Sequence, residues 1–311
     1  DYDMAIMKKG QDLTDVTTAI LTGMREILKK EKPDIVLVHG DTSTAFAGSL
    51  ASFYQQIPVG HVEAGLRTYN MKSPYPEEFN RQAIGLTASL HFAPTQKAAN
   101  ALLKEGKDPE RIFITGNTGI DALHYTVRSD FYHPETEWAK GSRLIAVTAH
   151  RRENLGEPMR DMFRAIRRIV EEFTDVKVIY PVHLNPQVRK IADEEFVGCE
   201  RIHLIEPLDV VEFHNLMKAS YLIMTDSGGI QEEAPALGKP VLVMRDTTER
   251  PEGVEAGTLK LVGTKMEDIY RECRRLLTEP ETYRKMSEAR NPYGDGTASI
   301  KIRKILEDID A

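Results

Sequence analysis

Six short stretches of this sequence carry ionisable side chains directly behind an apolar run. They are His39-Gly40-Asp41-Thr42-Ser43, Glu63-Ala64-Gly65-Leu66-Arg67, His150-Arg151-Arg152-Glu153, His183-Leu184-Asn185-Pro186, Asp226-Ser227-Gly228-Gly229 and Arg245-Asp246. A strand end needs small or turn-forming residues there, not this much charge. In an open parallel sheet such ends converge on one ligand crevice, so the pattern predicts a polar small-molecule cleft. Asp41, Glu63 and Glu77 offer carboxylates, Glu77 and Glu78 following the Pro-rich Ser73-Pro74-Tyr75-Pro76. Carboxylates gathered near one cleft suit general acid/base work, because repulsion and burial separate their proton affinities. The plainer reading keeps Asp41 as a helix cap and lets Glu77 and Glu78 open another helix.

His150, Arg151 and Arg152 place three potential cations at one strand end. Imidazole and guanidinium groups neutralise a diphosphate and stabilise it as a leaving group. Ser227-Gly228-Gly229 ends a strand and opens a helix at Ile230. Backbone N–H groups and the positive helix end attract anions there, and glycines permit close approach. The plainer alternatives are a tight β-to-α turn, a basic loop pairing with Glu153, and a surface ion pair for Arg250. Phe213, at helical spacing from Leu216 and Met217, reads as core. Neither the dinucleotide nor the P-loop fingerprint is present. His39, His61, His150 and His183 are too dispersed for a metal motif.

The elements that must hold these residues alternate. Candidate strands cover 34–39, 58–62, 90–93 and 111–115, then 144–148, 177–181, 202–205, 221–225, 240–244 and 259–262. Helical patterns lie between, including 13–29, capped by Asp12 or Thr14, and 159–173. Strands apolar on both faces and separated by helices define an α/β parallel sheet. Residues 126–142 lack a period and read as a linker. A turn-rich run, 291–296, precedes a last helix that could cross back onto the first domain. The expected domains are 1–125 plus 291–311, and 126–290.

With 311 residues, one or two domains with a sizeable core are expected. The formal charge of −7 argues against a nucleic-acid or anionic-membrane surface. No apolar run approaches a membrane span, and Asp1-Tyr2-Asp3 shows no signal-peptide pattern. Two cysteines, Cys199 and Cys273, cannot build a disulfide framework, which suits a reducing cytoplasm.

Long motifs add a resemblance. VHGDTSTAFAGSLASFYQQIPVGHVEAGLRT, SPYPEEFNR, TAHRREN, YPVHLNP, TDSGGIQEEAPALGKPVLVMRDTTERPEG and NPYGDG are similar to those of the non-hydrolysing UDP-N-acetylglucosamine 2-epimerases. The likeness runs from about Gln11 to the last helix, beyond a fold-level analogy. It implies two Rossmann-like doubly wound domains, as in GT-B enzymes, with the active site in the inter-domain cleft. It also implies a preceding strand and a Gly-Thr-Arg-Pro-Glu loop. A doubly wound half that opens on a helix agrees, so roughly fifty residues are expected ahead of Asp1.

The resemblance implies interconversion of UDP-N-acetylglucosamine and UDP-N-acetylmannosamine for polysaccharide and cell-wall synthesis. UDP is eliminated to leave 2-acetamidoglucal and then adds back with inversion at C2. Asp41, Glu63 and Glu77 match the family's catalytic carboxylates, and His150 its histidine. Phe213, Ser227, Gly228, Gly229, Glu233 and Arg250 match its UDP site. Gln11, Glu77, Arg151 and His183 match a second, regulatory substrate site, where Gly10 replaces a family arginine. No metal or nicotinamide cofactor is implied, and a homodimer is. The alternatives are a GT-B glycosyltransferase acting on a UDP-sugar, a hydrolysing epimerase, and a non-catalytic UDP-sugar binder.

Overall fold

The computed structural model describes residues 2–8 and 10–309. The chain divides into two compact units: residues up to Thr118 with those from Thr297 onward, and Gly119–Gly296.

The first unit is built on a four-stranded parallel sheet in sequence order: β1 (Val36–His39), β2 (Val59–Val62), β3 (Leu90–Ala93) and β4 (Ile112–Ile114). Alternation divides its side chains between two faces. Val38 and Val59 pack with Ala45 and Ile84 of the helices Ser43–Tyr54 and Glu77–Thr87. Val62, Leu90 and Phe92 pack instead with Ile302, Ile305 and Leu306 of the last helix, Ala298–Ile309. Phe92 is fully buried, a placement that contributes about 2–3 kcal/mol. The helix Leu13–Glu31 opens on Asp12, whose carboxylate accepts the Asp15 N–H in a capping box, and ends at Lys32 with φ +47°. Thr14 is therefore inside the helix.

The second unit carries six parallel strands: β5 (Arg143–Thr148), β6 (Val176–Pro181), β7 (Ile202–Ile205), β8 (Leu222–Thr225), β9 (Val241–Val243) and β10 (Leu259–Leu261). Their spatial order is β10-β9-β8-β5-β6-β7. The chain thus winds outward one way from β5, returns, and winds the other way from β8. This is the doubly wound Rossmann order, with its switch point between β5 and β8. The larger core lies on one face, where Phe163, Ile166 and Ile169 of the helix Glu157–Glu172 meet Val147, Val178 and Tyr180.

All ten expected strands are present, with ends that differ by at most two residues. Ladder pairing sets those ends: Arg143 enters β5 because its N–H donates to the Asp175 carbonyl at 2.8 Å. The helix expected from Met159 starts at Glu157, since Pro158 is tolerated in a first turn. The expected linker holds a short helix, Pro134–Trp138. Five residues are too few to show a period. His133 caps that helix, and Trp138 stacks on His203 at 3.5 Å between ring centroids.

Candidate functional site

In the first unit, β1 delivers Gly40 at φ +69°, where glycine closes the turn without a Cβ penalty. The Gly40 N–H donates to the Val62 carbonyl at 3.0 Å, and the His61 ring bonds the Gly40 carbonyl at 2.8 Å. The turn after β1 is thereby fixed to β2. Thr42, not Asp41, caps the next helix, its hydroxyl accepting the Ala45 N–H at 3.1 Å. The Asp41 carboxylate instead pairs with Arg81, at 2.5 Å from Nη2 and 3.1 Å from Nε. Asn80 donates to the Asp41 carbonyl at 2.9 Å.

Glu77 and Glu78 do open a helix, and they divide the work. Glu78 is fully buried. It accepts from the Thr68 and Tyr69 backbones at 3.0 and 2.9 Å, from Gln82 at 2.8 Å and from Arg81 at 3.1 Å. Its two oxygens thus tie the 68–69 loop to its own helix. Glu77 keeps a buried Oε2 with no hydrogen-bond partner among the described residues.

Glu63 follows β2 with φ +66°. Its Oε1 accepts from Asn117 at 3.3 Å, and its Oε2 lies 4.0 Å from His39 Nε2. His39 also meets the Thr118 hydroxyl at 3.2 Å. The first unit therefore holds Asp41, Glu63 and Glu77 on its turns and first helical residues. Gln11 also belongs here, its side chain bonded to the Ile6 carbonyl at 3.0 Å and to the Lys8 N–H.

In the second unit the turns after β5 and β8 lie side by side at the switch point. Thr148 and Thr225 bridge the strands at 2.6 Å between hydroxyls. Asp226 is fully buried. Its Oδ2 accepts the His150 and Arg151 N–H groups, both at 2.9 Å, and the Asn154 amide at 3.3 Å. His150 is half-buried and stacks on His183 with centroids 5.4 Å apart and planes 16° apart. Burial lowers the His150 pKa, and the nearby Asp226 charge opposes that shift. Arg151 Nε donates to the Asp226 carbonyl at 2.8 Å and its Nη1 lies 3.4 Å from Glu153. The basic stretch is thus fastened across the switch point as well as paired locally.

Arg250 is buried, unlike a surface ion pair. It binds Glu232 through Nε and Glu249 through Nη1 at 2.7 Å. Glu249 also faces Arg245 at 3.0 Å and Arg151 at 3.7 Å. Burial alone would raise the Glu249 pKa. The guanidinium groups outweigh it and hold the carboxyl at about 2. A Cβ on Gly228 would come within 2.6 Å of Arg250 Nη1 and 2.8 Å of Glu249 Oε1. The glycine is what lets the turn lie against the cations. The helix behind it, Ile230–Ala236, has seven residues and an internal Pro235. Behind the turn, Arg250 is held in place by its two carboxylate partners, Glu232 and Glu249.

Glu233 lies 3.6 Å from His214 Nε2, and His214 Nδ1 meets the Thr126 hydroxyl at 2.7 Å. Phe213 is partly buried against the cluster that includes Leu216, Met217 and Ile230. The 291–296 run secures this region: Tyr293 donates to the Arg250 carbonyl at 3.0 Å, and Asn291 to the Glu232 carbonyl at 2.8 Å. The roles of Arg81, Asp226 and Tyr293 carry no local signal, because the partners Asp41, His150 and Arg250 stand 40, 76 and 43 positions away.

A Rossmann-ordered sheet with clustered cations at its switch point and a glycine turn set against a buried arginine defines a nucleotide-binding α/β protein. Comparison with known proteins makes this specific. The family model for UDP-N-acetylglucosamine 2-epimerase matches residues 1–307, and the chain belongs to that family, whose activity is an isomerisation. A UDP-N-acetylglucosamine 2-epimerase of Bacillus subtilis is 62% identical over 309 residues, 99% of this chain and 80% of the relative. The crystal structure of UDP-N-acetylglucosamine 2-epimerase from Neisseria meningitidis, bound to UDP-N-acetylglucosamine, superposes with a TM-score of 0.93. It is 47% identical, and the match covers 99% of this chain and 85% of that one. The Methanocaldococcus jannaschii enzyme, in complex with UDP-N-acetylglucosamine and UDP, matches at a TM-score of 0.80 and 34% identity. That match covers 96% of this chain and 82% of the other. Among the described residues, no helix is long and apolar enough to cross a membrane.

Proposed function

We propose that this protein interconverts UDP-N-acetylglucosamine and UDP-N-acetylmannosamine. The observation that carries the reading is the pairing of the His150 and Asp226 turns at the switch point, in a chain matched over 1–307 by the epimerase family.

The C2 proton of a sugar nucleotide is not acidic, since no carbonyl adjoins it. Loss of UDP from C1 therefore leads, and the oxocarbenium character it creates makes C2–H removable. Elimination leaves 2-acetamidoglucal, and UDP adds back as a proton reaches the opposite face of C2. The Asp41, Glu63 and Glu77 carboxylates supply proton transfer. His150 and Arg250 stabilise the charge on the departing diphosphate. Phe213 borders the uracil, the Ser227-Gly228-Gly229 turn receives the phosphates, and Glu233 accepts hydrogen bonds from the ribose hydroxyls. Gln11, Glu77, Arg151 and His183 form the regulatory substrate site, and the enzyme works in the cytoplasm as a homodimer.

The test is proton NMR of UDP-N-acetylglucosamine incubated with the protein in D₂O. UDP-N-acetylmannosamine carrying deuterium at C2 is the expected product. Free N-acetylmannosamine with UDP would instead identify a hydrolase, and binding without turnover a sugar-nucleotide receptor. A hyperbolic rate curve, with no need for UDP-N-acetylglucosamine in the reverse direction, would remove the regulatory site.

A further inference from the structure

Asp226 is a carboxylate with its two oxygens in different circumstances. Oδ2 is saturated by the His150 and Arg151 backbones and by Asn154. Oδ1 is equally buried and has no hydrogen-bond partner among the described residues. A buried carboxylate oxygen left without a donor forgoes the hydrogen bonds it made in water and is destabilising. Facing it is His150 Nδ1, 3.4 Å away. That is longer than a formed hydrogen bond, and such contacts often tighten only when the ligand is bound. Because Oδ2 fixes the His150 backbone itself, rotation of one imidazole is enough to close the gap.

We infer that Asp226 is a positioning residue for His150. Its Oδ1 accepts a hydrogen bond from the Nδ1–H of the imidazole, so that the ring presents Nε2 to the phosphate side of the substrate. The inference rests on His150 being the phosphate-side group. Its physical content is separate: with Nδ1–H held by the carboxylate, Nε2 takes up a proton from solvent, and the imidazolium so formed, paired with Asp226, donates Nε2–H to the departing diphosphate.

The other groups around the ring do not fill this role. His183 stacks on His150 and uses its own Nδ1 to accept the Asn185 N–H at 3.1 Å, which leaves it a proton on Nε2. His183 and Arg151 disfavour the imidazolium, while Glu153 favours it less than Asp226 does. Tyr180 lies near Asp226, but its hydroxyl is committed to the Ala149 carbonyl at 2.6 Å. Among the described residues, Asp226 is the buried carboxylate beside Nδ1.

Asp226→Asn separates the two functions of the side chain. The amide oxygen keeps the backbone donors on the Oδ2 side, while the amide NH₂ replaces the acceptor at Oδ1. His150 Nδ1 must then accept, and the proton moves to Nε2. The experiment reads the imidazole nitrogens by ¹H–¹⁵N NMR at neutral pH, in wild type and variant, with His150→Gln assigning the signals. Expected are an Nδ1-protonated His150 in wild type and an Nε2-protonated one in Asp226→Asn. With them comes a fall in kcat on the order of 10²- to 10⁴-fold, as reversed tautomers cause elsewhere, and a UDP affinity within about threefold.

An Nε2-protonated His150 in wild type overturns the inference, and this holds even if Asp226→Asn does not fold. An unchanged tautomer, or a kcat within about threefold in the variant, also overturns it. Failure of the functional reading looks different. His150→Ala would then turn over normally, ending any catalytic purpose for the pair, while the wild-type ring signals still report whether Asp226 holds Nδ1–H.

Discussion

Glu63 occupies a backbone conformation that glycine adopts freely and a residue with a Cβ enters at a cost of about 1 kcal/mol or more. The turn alone would favour glycine, so the carboxylate accounts for the residue. Glu63→Gly is expected to leave Tm unchanged or slightly raised while kcat falls on the order of 10²-fold or more. Differential scanning fluorimetry and product NMR check the two halves. A Tm loss of several degrees would show that Glu63 is kept for its bonds to Asn117 and His39. Asp41→Asn preserves volume and the Asn80 contact but weakens the ion pair with Arg81. Turnover should be abolished, with UDP affinity by calorimetry within about threefold, because the proposed phosphate contacts lie in the other unit. Near-normal kcat would take Asp41 out of the proton-transfer set. At this scale the sequence exposes residue types but not their partners. Asp41 reads equally as a cap until Thr42 is seen capping, and Arg81 stands forty positions from the carboxylate it neutralises.

The β8 turn is where element geometry and ligand chemistry meet. Gly228 is required by contact rather than by φ: a methyl group there would displace Arg250 and Glu249. Both are flexible side chains in principle. Here Arg250 is tied to Glu232, its carbonyl is held by Tyr293, and Glu249 faces three guanidinium groups. Gly228→Ala is therefore expected to weaken UDP binding about tenfold, or about 1.4 kcal/mol, by calorimetry. A change below about twofold would mean that the arginine swings aside at little cost. The elements themselves were legible because strands buried on both faces read as short β-branched runs. Strand order was not legible, since pairing of β5 with β8 joins residues about 77 apart. The helix start at Ile230 was legible from the glycine turn, whereas its end was not: the helix closes at Ala236, one residue after Pro235.

Across the whole chain, acid should act unevenly. His61 and His91 lie on neighbouring strands of the first unit, paired in register, and both are buried. Burial is the largest cause in each case and lowers their pKa values to about 3 and about 4. Each Nδ1 has no hydrogen-bond partner among the described residues, so neither ring gains by taking a second proton. In the unfolded chain both titrate near 6.5. Their folded pKa values are depressed, so the native unit binds fewer protons than the unfolded one at mildly acid pH. The stability held above pH 6.5 is lost as pH falls toward 4, by up to about 1.4 kcal/mol per pH unit for each histidine. In the second unit His150 shifts the same way but is half-exposed, and Glu249, held at about 2, matters only below the ordinary carboxylate range. Hydrogen exchange between pH 7 and 4.5, corrected for intrinsic rates, should therefore show residues 59–93 losing protection before the strands around Val147 and Met224. His61→Gln keeps a donor for the Gly40 carbonyl and cannot be protonated. It should flatten the acid limb of the first unit by one proton's worth. Equal loss of protection in both units, or an unchanged slope in His61→Gln, would place the acid sensitivity elsewhere.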